Sequence, residues 1–341
     1  MLDIEIGMAA ELREAPDAVR RQKSASAIAE LVARCRRNAP RVVLTCARGS
    51  SAHAATFGKH LIEKHLGIPV AAAAPNIATV YDQSLRLKDQ LVLTISQSGH
   101  SYDLVEFTTM ARESGALTVA IVNDVDSPLA AASEIVLPIT AGPELSVAAT
   151  KSFVATLAML LRMTAAWAND DAMRAAIERL PDRLAAATDL DWSPALDGLA
   201  AADSLTTIGR GPTLAIAREA ALKLKETSNL HAEAFSSAEF QHGPMALVSE
   251  LYPILMFMPN DAAAAGVKAL AADLRCKGAA LFSTEDDVSM PGHLPTLIPD
   301  HPDADAVGLI QSFYALAIRV AARRGTDVDR PRHLQKVTRT R

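Results

Sequence analysis

Short, continuous apolar runs alternate with longer segments of helical pattern along the chain. In the first half these runs lie at residues 42–46, 69–74, 91–95, 117–122 and 134–139. Continuous apolar runs are typical of strands that helices cover on both faces. The segments between them, such as 52–66 and 102–114, have the pattern of helices. This alternation predicts right-handed crossovers and a doubly wound parallel sheet.

The second half of the chain repeats this scheme. Its candidate strands lie at residues 205–208, 231–235, 252–258, 279–282 and 294–298. Arg48-Gly49 precedes Arg210-Gly211 by 162 residues, and Leu91 precedes Pro253 by the same interval. We therefore predict two tandem doubly wound α/β domains, each with a five-stranded parallel sheet. The predicted parts are an N-terminal arm, two domains and a C-terminal tail, at residues 1–25, 26–187, 188–326 and 327–341. Helical stretches at 144–167 and 171–187 are expected to join the two copies.

Composition excludes several classes of protein. The 341 residues carry a formal net charge of −5, which disfavours nucleic-acid binding because no excess of positive charge is present. Three cysteines without a CxxC motif fit a reducing compartment better than a disulfide scaffold. The acidic N-terminus has no signal-peptide pattern, and the longest apolar stretch, residues 152–161, is too short to span a membrane. We expect a soluble, cytoplasmic protein that does not bind membranes.

Serine-rich turns follow two of the predicted strands in the first half. Ser96-Gln97-Ser98-Gly99 and Ser101 come directly after a buried strand, and Gly49-Ser50-Ser51 follow the first strand. Strand-to-helix turns of parallel sheets offer free backbone N–H groups and a positive helix end to an anion. Hydroxyl and amide side chains complete such a site. The alternative is that these serines are ordinary helix N-caps; because two such turns occur in one sheet, we favour a phosphate site. The second copy has Met258-Pro259-Asn260 at the corresponding place.

A second cluster of chemistry-bearing residues lies on the predicted helix 213–229. Glu219, Lys223 and Glu226 share one helix face, where interleaved carboxylates and an ammonium group could move protons. The alternative is a solvated face with ordinary ion pairs. His231 and His242, with two further carboxylates, follow closely in sequence and favour an acid–base site.

Several familiar motifs are missing from the sequence. Neither serine-rich turn has the GxGxxG dinucleotide fingerprint, and there is no Walker lysine motif. Histidine spacing is poor for zinc, and GxSxG is absent. We expect no metal site and no cofactor.

Taken together, these motifs resemble the sugar-isomerase (SIS) domain family. The resemblance rests on GSS at 49–51, SQSGHS at 96–101, GPELSVAATKSF at 142–153, GRG at 209–211, the segment 219–244 and the tail DRPRHLQKV. The resemblance covers essentially the whole chain. Within this family, the chain is most similar to the isomerase half of glucosamine-6-phosphate synthase and to standalone SIS-type deaminases. The resemblance implies flavodoxin-like domains and a homodimer with shared active sites. Because the synthase's N-terminal catalytic cysteine has no counterpart here, we expect no glutaminase domain in this chain.

The same resemblance implies roles for individual residues. Ser51, Ser96, Gln97, Ser98 and Ser101, with Gly49 in the first turn, would bind the sugar phosphate. Glu226 would move a proton between C1 and C2. His242 would open the sugar ring across a dimer interface, and Lys336 matches a lysine that forms a Schiff base in the synthase. Lys223 would lie near the catalytic centre and Glu219 near the substrate. His100 takes a glutamate position of the synthase motif, so no role follows for it.

The activity implied by this resemblance is deamination of glucosamine 6-phosphate to fructose 6-phosphate and ammonia. A galactosamine-6-phosphate deaminase, a fructosamine-6-phosphate deglycase and a plain aldose–ketose isomerase would share the same site and stay open as alternatives. A sugar-phosphate sensor without catalysis is an alternative from another class. Ammonia release from glucosamine 6-phosphate separates an enzyme from a sensor.

Overall fold

The protein is described by a computed structural model for residues 7–22 and 25–336. Its internal contacts divide the chain into two compact units. The five-stranded unit comprises Asp17–Glu144, Lys151–Glu178 and Gln335–Arg341. The four-stranded unit comprises Met1–Pro16, Leu145–Thr150 and Arg179–Leu334. The domain boundaries given above from the sequence stay predictions.

The five-stranded unit is a parallel sheet covered by helices. Its strands are β1 (Val43–Ala47), β2 (Val70–Ala72), β3 (Leu91–Ser96), β4 (Leu117–Val122) and β5 (Ile135–Pro138), in the spatial order β2-β1-β3-β4-β5. The helices are α2 (Ala25–Arg37), α3 (Gly49–Leu66), α4 (Asn76–Thr79), α5 (Tyr102–Glu113), α6 (Pro128–Ala132) and α7 (Lys151–Ala168). Every residue of β3 is buried, as its continuous apolar pattern predicts. The strand order reverses between β1 and β3, which is where open α/β sheets bind ligands.

The four-stranded unit contains a second parallel sheet. Its strands are β6 (Ser204–Gly209), β7 (His231–Ser236), β8 (Pro253–Met256) and β9 (Ala280–Ser283), in the order β7-β6-β8-β9. The helices with residues in this unit are α1 (Gly7–Arg21), α8 (Asp171–Thr188), α9 (Leu196–Ala201), α10 (Pro212–Ser228), α11 (Ala264–Cys276) and α12 (Pro302–Arg323), of which α1 and α8 also contribute residues to the five-stranded unit. Short 3-10 turns occur at Ser193–Ala195, Glu239–Gln241 and Pro244–Leu247. The two sheets confirm the predicted doubly wound α/β class.

The prediction of a fifth strand at residues 294–298 in this unit is wrong. The segment carries Pro295 and is followed by Pro299, which lack the N–H groups that a sheet ladder requires. Side chains hold the segment instead, because Trp192 Nε1 donates to the Pro295 carbonyl at 2.9 Å and Arg183 donates to the Ile298 carbonyl at 2.8 Å. An isolated bridge pairs Ser283 with His293, directly before this segment.

Helix α12 forms part of the core of the four-stranded unit and packs against α10. It is the one helix among the described residues that is long and apolar enough to cross a membrane, but 78% of its most apolar window is buried inside the protein. That burial is the usual property of a central helix in a folded core.

The long helix predicted from residue 144 begins later, at Lys151. Residues 144–150 are irregular, and the Glu144 carboxylate turns back to accept a hydrogen bond from the Ser152 N–H at 3.2 Å. The N–H groups of the first helical turn have no partner within the helix, and here the Glu144 side chain, which precedes the helix, accepts from one of them.

Candidate functional site

The two serine-rich turns lie side by side in the five-stranded unit. Strands β1 and β3 are neighbours, with Ala47 opposite Ile95, so the chain leaves both strands at the same edge of the sheet. Ser96 is the last residue of β3, and Gly49 is the first residue of α3. We call this edge, with Gly49–Ser51 and Ser96–Ser101, the cradle. It lies at the point where the strand order reverses.

The serines of the cradle make no side-chain capping hydrogen bond to α3 or α5. The N-cap of α3 is Arg48, so Ser50 and Ser51 lie inside the first turn of the helix. Ser101 is the N-cap of α5, but its side chain makes no capping hydrogen bond. The simple alternative of ordinary capping therefore does not explain this group of hydroxyls.

Hydrogen bonds within the turn after β3 fix its shape. The Gly99 N–H donates to Ser96 Oγ at 3.1 Å, and the His100 N–H donates to Ser98 Oγ at 3.3 Å. The carbonyl of Gln97 accepts from the Asn123 N–H at 3.1 Å, which ties this turn to the turn after β4. The His100 ring lies 3.2 Å from an Asp124 carboxylate oxygen on that same turn.

Gly99 is required by the close approach of these two turns. Its φ is +68°, and a Cβ added to it would lie 2.1 Å from Ser127 Oγ. No side chain fits into that space, and a positive φ is unfavourable for residues other than glycine. The backbone of the cradle is therefore held in one conformation.

An ion pair that the sequence analysis missed joins the two cradle turns. Arg48 precedes Gly49, and its Nε and Nη2 donate to one carboxylate oxygen of Asp103 at 3.0 and 2.8 Å. Asp103 lies in the first turn of α5 and is buried. The two residues are 55 positions apart, so only an arginine directly before Gly-Ser-Ser gave a signal in the sequence.

The predicted tail lysine lies against a buried acid of the same unit. Lys336 Nζ is 3.3 Å from Glu144 Oε2, and the Glu144 side chain is fully buried. Lys336 is the last described residue, so the rest of the tail motif, from residue 337 onward, lies outside the described part of the chain.

The acid–base residues of the four-stranded unit form a buried cluster along α10. Lys223 Nζ lies 3.4 Å from Glu219 Oε1 and also contacts Glu226 Oε2. The side chains of Glu219 and Lys223 are 0% and 1% exposed, whereas that of Glu226 is 21% exposed. The alternative of a solvated helix face with ordinary ion pairs is therefore wrong. Glu226 is the member of the cluster with an open approach.

Tyr314 belongs to this cluster but was not found from the sequence. It lies on α12, is buried, and its hydroxyl donates to Glu219 Oε1 at 3.3 Å. The two residues are 95 positions apart, so no local pattern could have indicated this contact.

Lys223 stays protonated in this setting. Burial by itself lowers the pKa of the ammonium group, but the carboxylates of Glu219 and Glu226 more than reverse the effect, so its pKa is raised. The cluster therefore holds a fixed positive charge beside Glu226.

His242 belongs to the four-stranded unit but is not bonded to the cluster. It follows the 3-10 turn Glu239–Gln241 and is exposed, and its backbone N–H donates to the Glu239 carbonyl at 3.0 Å. Among residues 7–22 and 25–336, no hydrogen bond or ion pair joins its ring to α10.

The carboxyl edge of the second sheet differs from the cradle. It borders a cavity of about 150 Å³, lined among others by Thr213, Met258 and Asn260. The cations at this cavity are paired with acids, Arg183 with Asp305 at 2.7 Å and Lys268 with Asp286 at 2.8 Å. Within the described ranges, no group of three or more His, Cys, Asp or Glu side chains could hold a metal ion.

Comparison with known proteins connects both sheets to one family. The sequence model of the SIS domain matches residues 37–166 and 198–283, which together cover most of the chain and both sheets. This chain belongs to the SIS domain family. The resemblance stated from the motifs is thereby confirmed.

Several relatives of this SIS protein are known by sequence or structure. The glutamine–fructose-6-phosphate aminotransferase of Symbiobacterium thermophilum is 33% identical over 87% of this chain and 51% of its own length. A solved structure from Silicibacter pomeroyi DSS-3, assigned as a phosphosugar isomerase, is 45% identical with a TM-score of 0.90, covering 95% of this chain and 99% of that one. The C-terminal domain of glucosamine-fructose-6-phosphate aminotransferase from Francisella tularensis is 26% identical with a TM-score of 0.84, covering 96% and 99% of the two chains. The chain spans about half the length of the curated aminotransferases that it matches.

Proposed function

We propose that this SIS protein is an amino-sugar phosphate deaminase. It would convert glucosamine 6-phosphate and water to fructose 6-phosphate and ammonia by way of an aldose–ketose isomerisation. The observation that carries the proposal is the cluster on α10, in which the partly exposed Glu226 carboxylate contacts the buried Lys223 ammonium group. A positioned carboxylate is the group that an isomerisation of this kind requires.

Proton transfer at adjacent carbons is the central step of the proposed reaction. In the open-chain amino aldose, the C2 hydrogen is acidic because C2 is next to the C1 aldehyde. Glu226 removes it as a proton, and the enaminol that forms receives a proton at C1. The product is a ketose imine with nitrogen still on C2. Water adds to the C2=N bond and ammonia leaves, which gives the C2 carbonyl of fructose 6-phosphate.

Phosphate binding is assigned to the cradle. Ser51, Ser96, Gln97, Ser98 and Ser101 supply hydroxyl and amide groups, and the turns supply backbone N–H groups at the start of α3 and α5. Binding energy from the phosphate group, which is remote from C1 and C2, would orient the reacting carbons.

Two further residues are assigned roles by family resemblance. Lys336 would engage the sugar carbonyl, and the buried Glu144 carboxylate beside its Nζ supports a fixed place for this amine. His242 would open the cyclic sugar by moving protons between the ring oxygen and the C1 hydroxyl. Its exposure leaves the ring accessible to a second protein copy.

The relatives support sugar-phosphate chemistry without deciding the substrate. The curated relatives are named as fructose-6-phosphate aminotransferases, and the protein from Silicibacter pomeroyi is assigned as a phosphosugar isomerase. A plain aldose–ketose isomerase is therefore the second candidate function. It would use the same cradle and the same Glu226 but would release no ammonia.

An ammonia assay tests the proposed function. The protein is incubated with the 6-phosphates of glucosamine, galactosamine and N-acetylglucosamine, and ammonia and fructose 6-phosphate are measured in parallel. We expect equal amounts of both products from glucosamine 6-phosphate. Interconversion of aldose and ketose phosphates without ammonia would support the plain isomerase, and binding without any turnover would support a sensor. Both results would contradict the proposal.

A double substitution in the cradle tests where the phosphate binds. Ser98→Ala with Ser101→Ala should raise KM for glucosamine 6-phosphate by about 100-fold or more, because each of the two lost hydrogen bonds to a charged group is worth roughly 1.5–3 kcal/mol. The value of kcat should stay within a few fold of the wild type. The matched control, Ser289→Ala, removes an exposed hydroxyl that bonds Asp287 in the other unit. An unchanged KM in the double variant would remove these serines from the site.

We further propose a homodimer with shared active sites in the cytoplasm. The three cysteines are free thiols, which fits a reducing compartment.

Light scattering tests the proposed dimer and should give twice the mass of the chain. Mixed dimers of His242→Ala and Glu226→Gln subunits should regain part of the activity that each homodimer lacks, and failure to regain any would contradict sharing.

A further inference from the structure

A phosphate dianion bound by hydroxyl and amide groups alone would keep its full charge. The serine, glycine and glutamine residues of the cradle carry no charge, and helix N-termini supply partial charges only. Arginine is over-represented where proteins recognise phosphate, because its planar guanidinium matches the phosphate oxygens. Arg48 lies at this edge of the sheet, as the N-cap of α3.

Arg48 is held between the two turns of the cradle. It is the residue directly before Gly49, and its guanidinium is bonded to Asp103, two residues beyond Ser101. Both nitrogen atoms used, Nε and Nη2, donate to the same carboxylate oxygen. The side chain therefore cannot swing away from the cradle without losing both bonds.

The ion pair presents its positive end to solvent. The Asp103 side chain is 2% exposed and that of Arg48 is 53% exposed. A guanidinium has five N–H donors, and two of them are used by Asp103. The others remain for a ligand, since no other hydrogen bond of this side chain occurs within the described residues.

We propose that Arg48 is the cationic ligand of the cradle and binds the terminal phosphate dianion of the sugar phosphate. Asp103 acts as a positioning residue that orients the guanidinium. This inference rests on the proposed function, which assigns the phosphate to the cradle. It adds the charged group that gives the site its preference for a dianion over a neutral sugar.

A clamp that merely joins the two turns is the competing explanation of the ion pair. Loss of a clamp would lower thermal stability and change the binding of phosphorylated and unphosphorylated ligands alike. Loss of a residue that binds the phosphate group would weaken the binding of phosphorylated ligands only. The affinity ratio between glucosamine 6-phosphate and glucosamine therefore separates the two explanations.

The test uses Arg48→Gln and Arg48→Lys in the full chain. Arg34→Gln is the matched control, because Arg34 forms a comparable ion pair with Glu134 at 2.7 Å before β5, at the opposite end of the sheet. Calorimetry measures binding of inorganic phosphate, glucosamine 6-phosphate and glucosamine at two salt concentrations. Thermal melting is measured on each variant.

We expect Arg48→Gln to weaken phosphate and glucosamine 6-phosphate binding by about 10- to 100-fold, with glucosamine binding and the control unchanged. Arg48→Lys should retain part of the affinity, because it keeps the charge but loses the planar fork. Salt should weaken binding more in the wild type than in Arg48→Gln.

Unchanged phosphate affinity in Arg48→Gln would overturn the inference, as would an equal loss for glucosamine and its 6-phosphate. If Arg48→Gln fails to fold, the ratio of affinities for glucosamine 6-phosphate and glucosamine is measured on Arg48→Lys instead, and an unchanged ratio overturns the inference. If the wild-type protein itself binds neither phosphate nor glucosamine 6-phosphate, the proposed function fails and not only the role of Arg48.

Discussion

Lys223 is the side chain that most clearly separates α10 from an ordinary helix surface. Exposed ion pairs between helix neighbours contribute about 0–1 kcal/mol to stability and are screened by salt. A lysine that is 1% exposed between two carboxylates is different, because removal of one partner would leave a buried charge that costs several kcal/mol. An arrangement of this kind fits a site that needs a fixed charge beside a reactive carboxylate.

Tyr314 gives a prediction about a single hydroxyl group. Tyr314→Phe keeps the buried ring but removes the donor to Glu219 Oε1. We expect kcat for glucosamine 6-phosphate to fall by about 10- to 150-fold with little change in KM, since a lost hydrogen bond to a charged group is worth roughly 1.5–3 kcal/mol. Steady-state kinetics at fixed pH measure the effect.

Tyr252→Phe is the control for this substitution. Its hydroxyl lies 3.1 Å from Thr206 Oγ1 in the same unit, away from the charged cluster. The control should lose a similar amount of thermal stability but keep its kinetics. Equal kcat values in the two variants would show that Tyr314 has a packing role only.

At the scale of elements, strands and helices with a strong apolar pattern could be predicted from the sequence. The pairing of side chains from distant elements could not. The runs that became β1, β3 and β4 are continuous and apolar because both faces of the sheet are covered. The convergence of the serine-rich turns followed from the parallel topology. The Arg48–Asp103 and Tyr314–Glu219 contacts join residues 55 and 95 positions apart, and such contacts depend on packing that no local pattern records.

The missing fifth strand of the second sheet shows the limit of apolar patterning. Residues 294–298 have an apolar pattern similar to that of other strands, but Ile298 is 84% exposed and prolines interrupt the ladder. Proline chemistry outweighs apolar composition where backbone N–H groups must pair.

The turn after β3 gives a prediction about backbone geometry. Gly99→Ala should lower the free energy of unfolding by about 2–4 kcal/mol, because the new Cβ would meet Ser127 Oγ and the residue would keep a positive φ. Gly67→Ala is the matched control, with a φ of +66° and nothing within 4 Å of an added Cβ. It should cost only about 1–2 kcal/mol.

Chemical denaturation of both glycine variants measures the difference. Gly99→Ala should also weaken phosphate binding, whereas Gly67→Ala should not. Equal stability losses in the two variants would mean that the turn relaxes and that the close approach to Ser127 is not required.

At the scale of the whole molecule, the three cysteines report on the integrity of the fold. Burial, the main cause, raises the pKa of Cys35 to about 11. Burial, and secondarily the Asp103 charge, raise the pKa of Cys46 to about 12. Cys276 is exposed. At pH 8 a thiol reagent should therefore modify one cysteine per native chain and three per chain in denaturant.

The same pKa shifts predict a loss of stability in alkali. A thiol with a raised pKa in the folded state stabilises the fold below the ordinary value of 9.0, and that contribution disappears as pH rises toward 11–12. The denaturant concentration at the unfolding midpoint should decrease as the pH is raised from 9 to 11. The decrease should be smaller in a Cys35→Ala, Cys46→Ala double variant. Modification of two or three thiols at pH 8 before unfolding would contradict the burial of these side chains.

The fate of the C2 hydrogen tests the proposed proton transfer most directly. Glucosamine 6-phosphate deuterated at C2 is treated with wild-type protein and with Glu226→Gln, and the products are examined by NMR. We predict that the wild type releases ammonia and forms fructose 6-phosphate, whose C2 is a carbonyl. The deuterium should be found at C1 or be lost to water. Turnover by Glu226→Gln should be slower by at least about 10²-fold. A product that retains deuterium at C2, or undiminished turnover by Glu226→Gln, would contradict it.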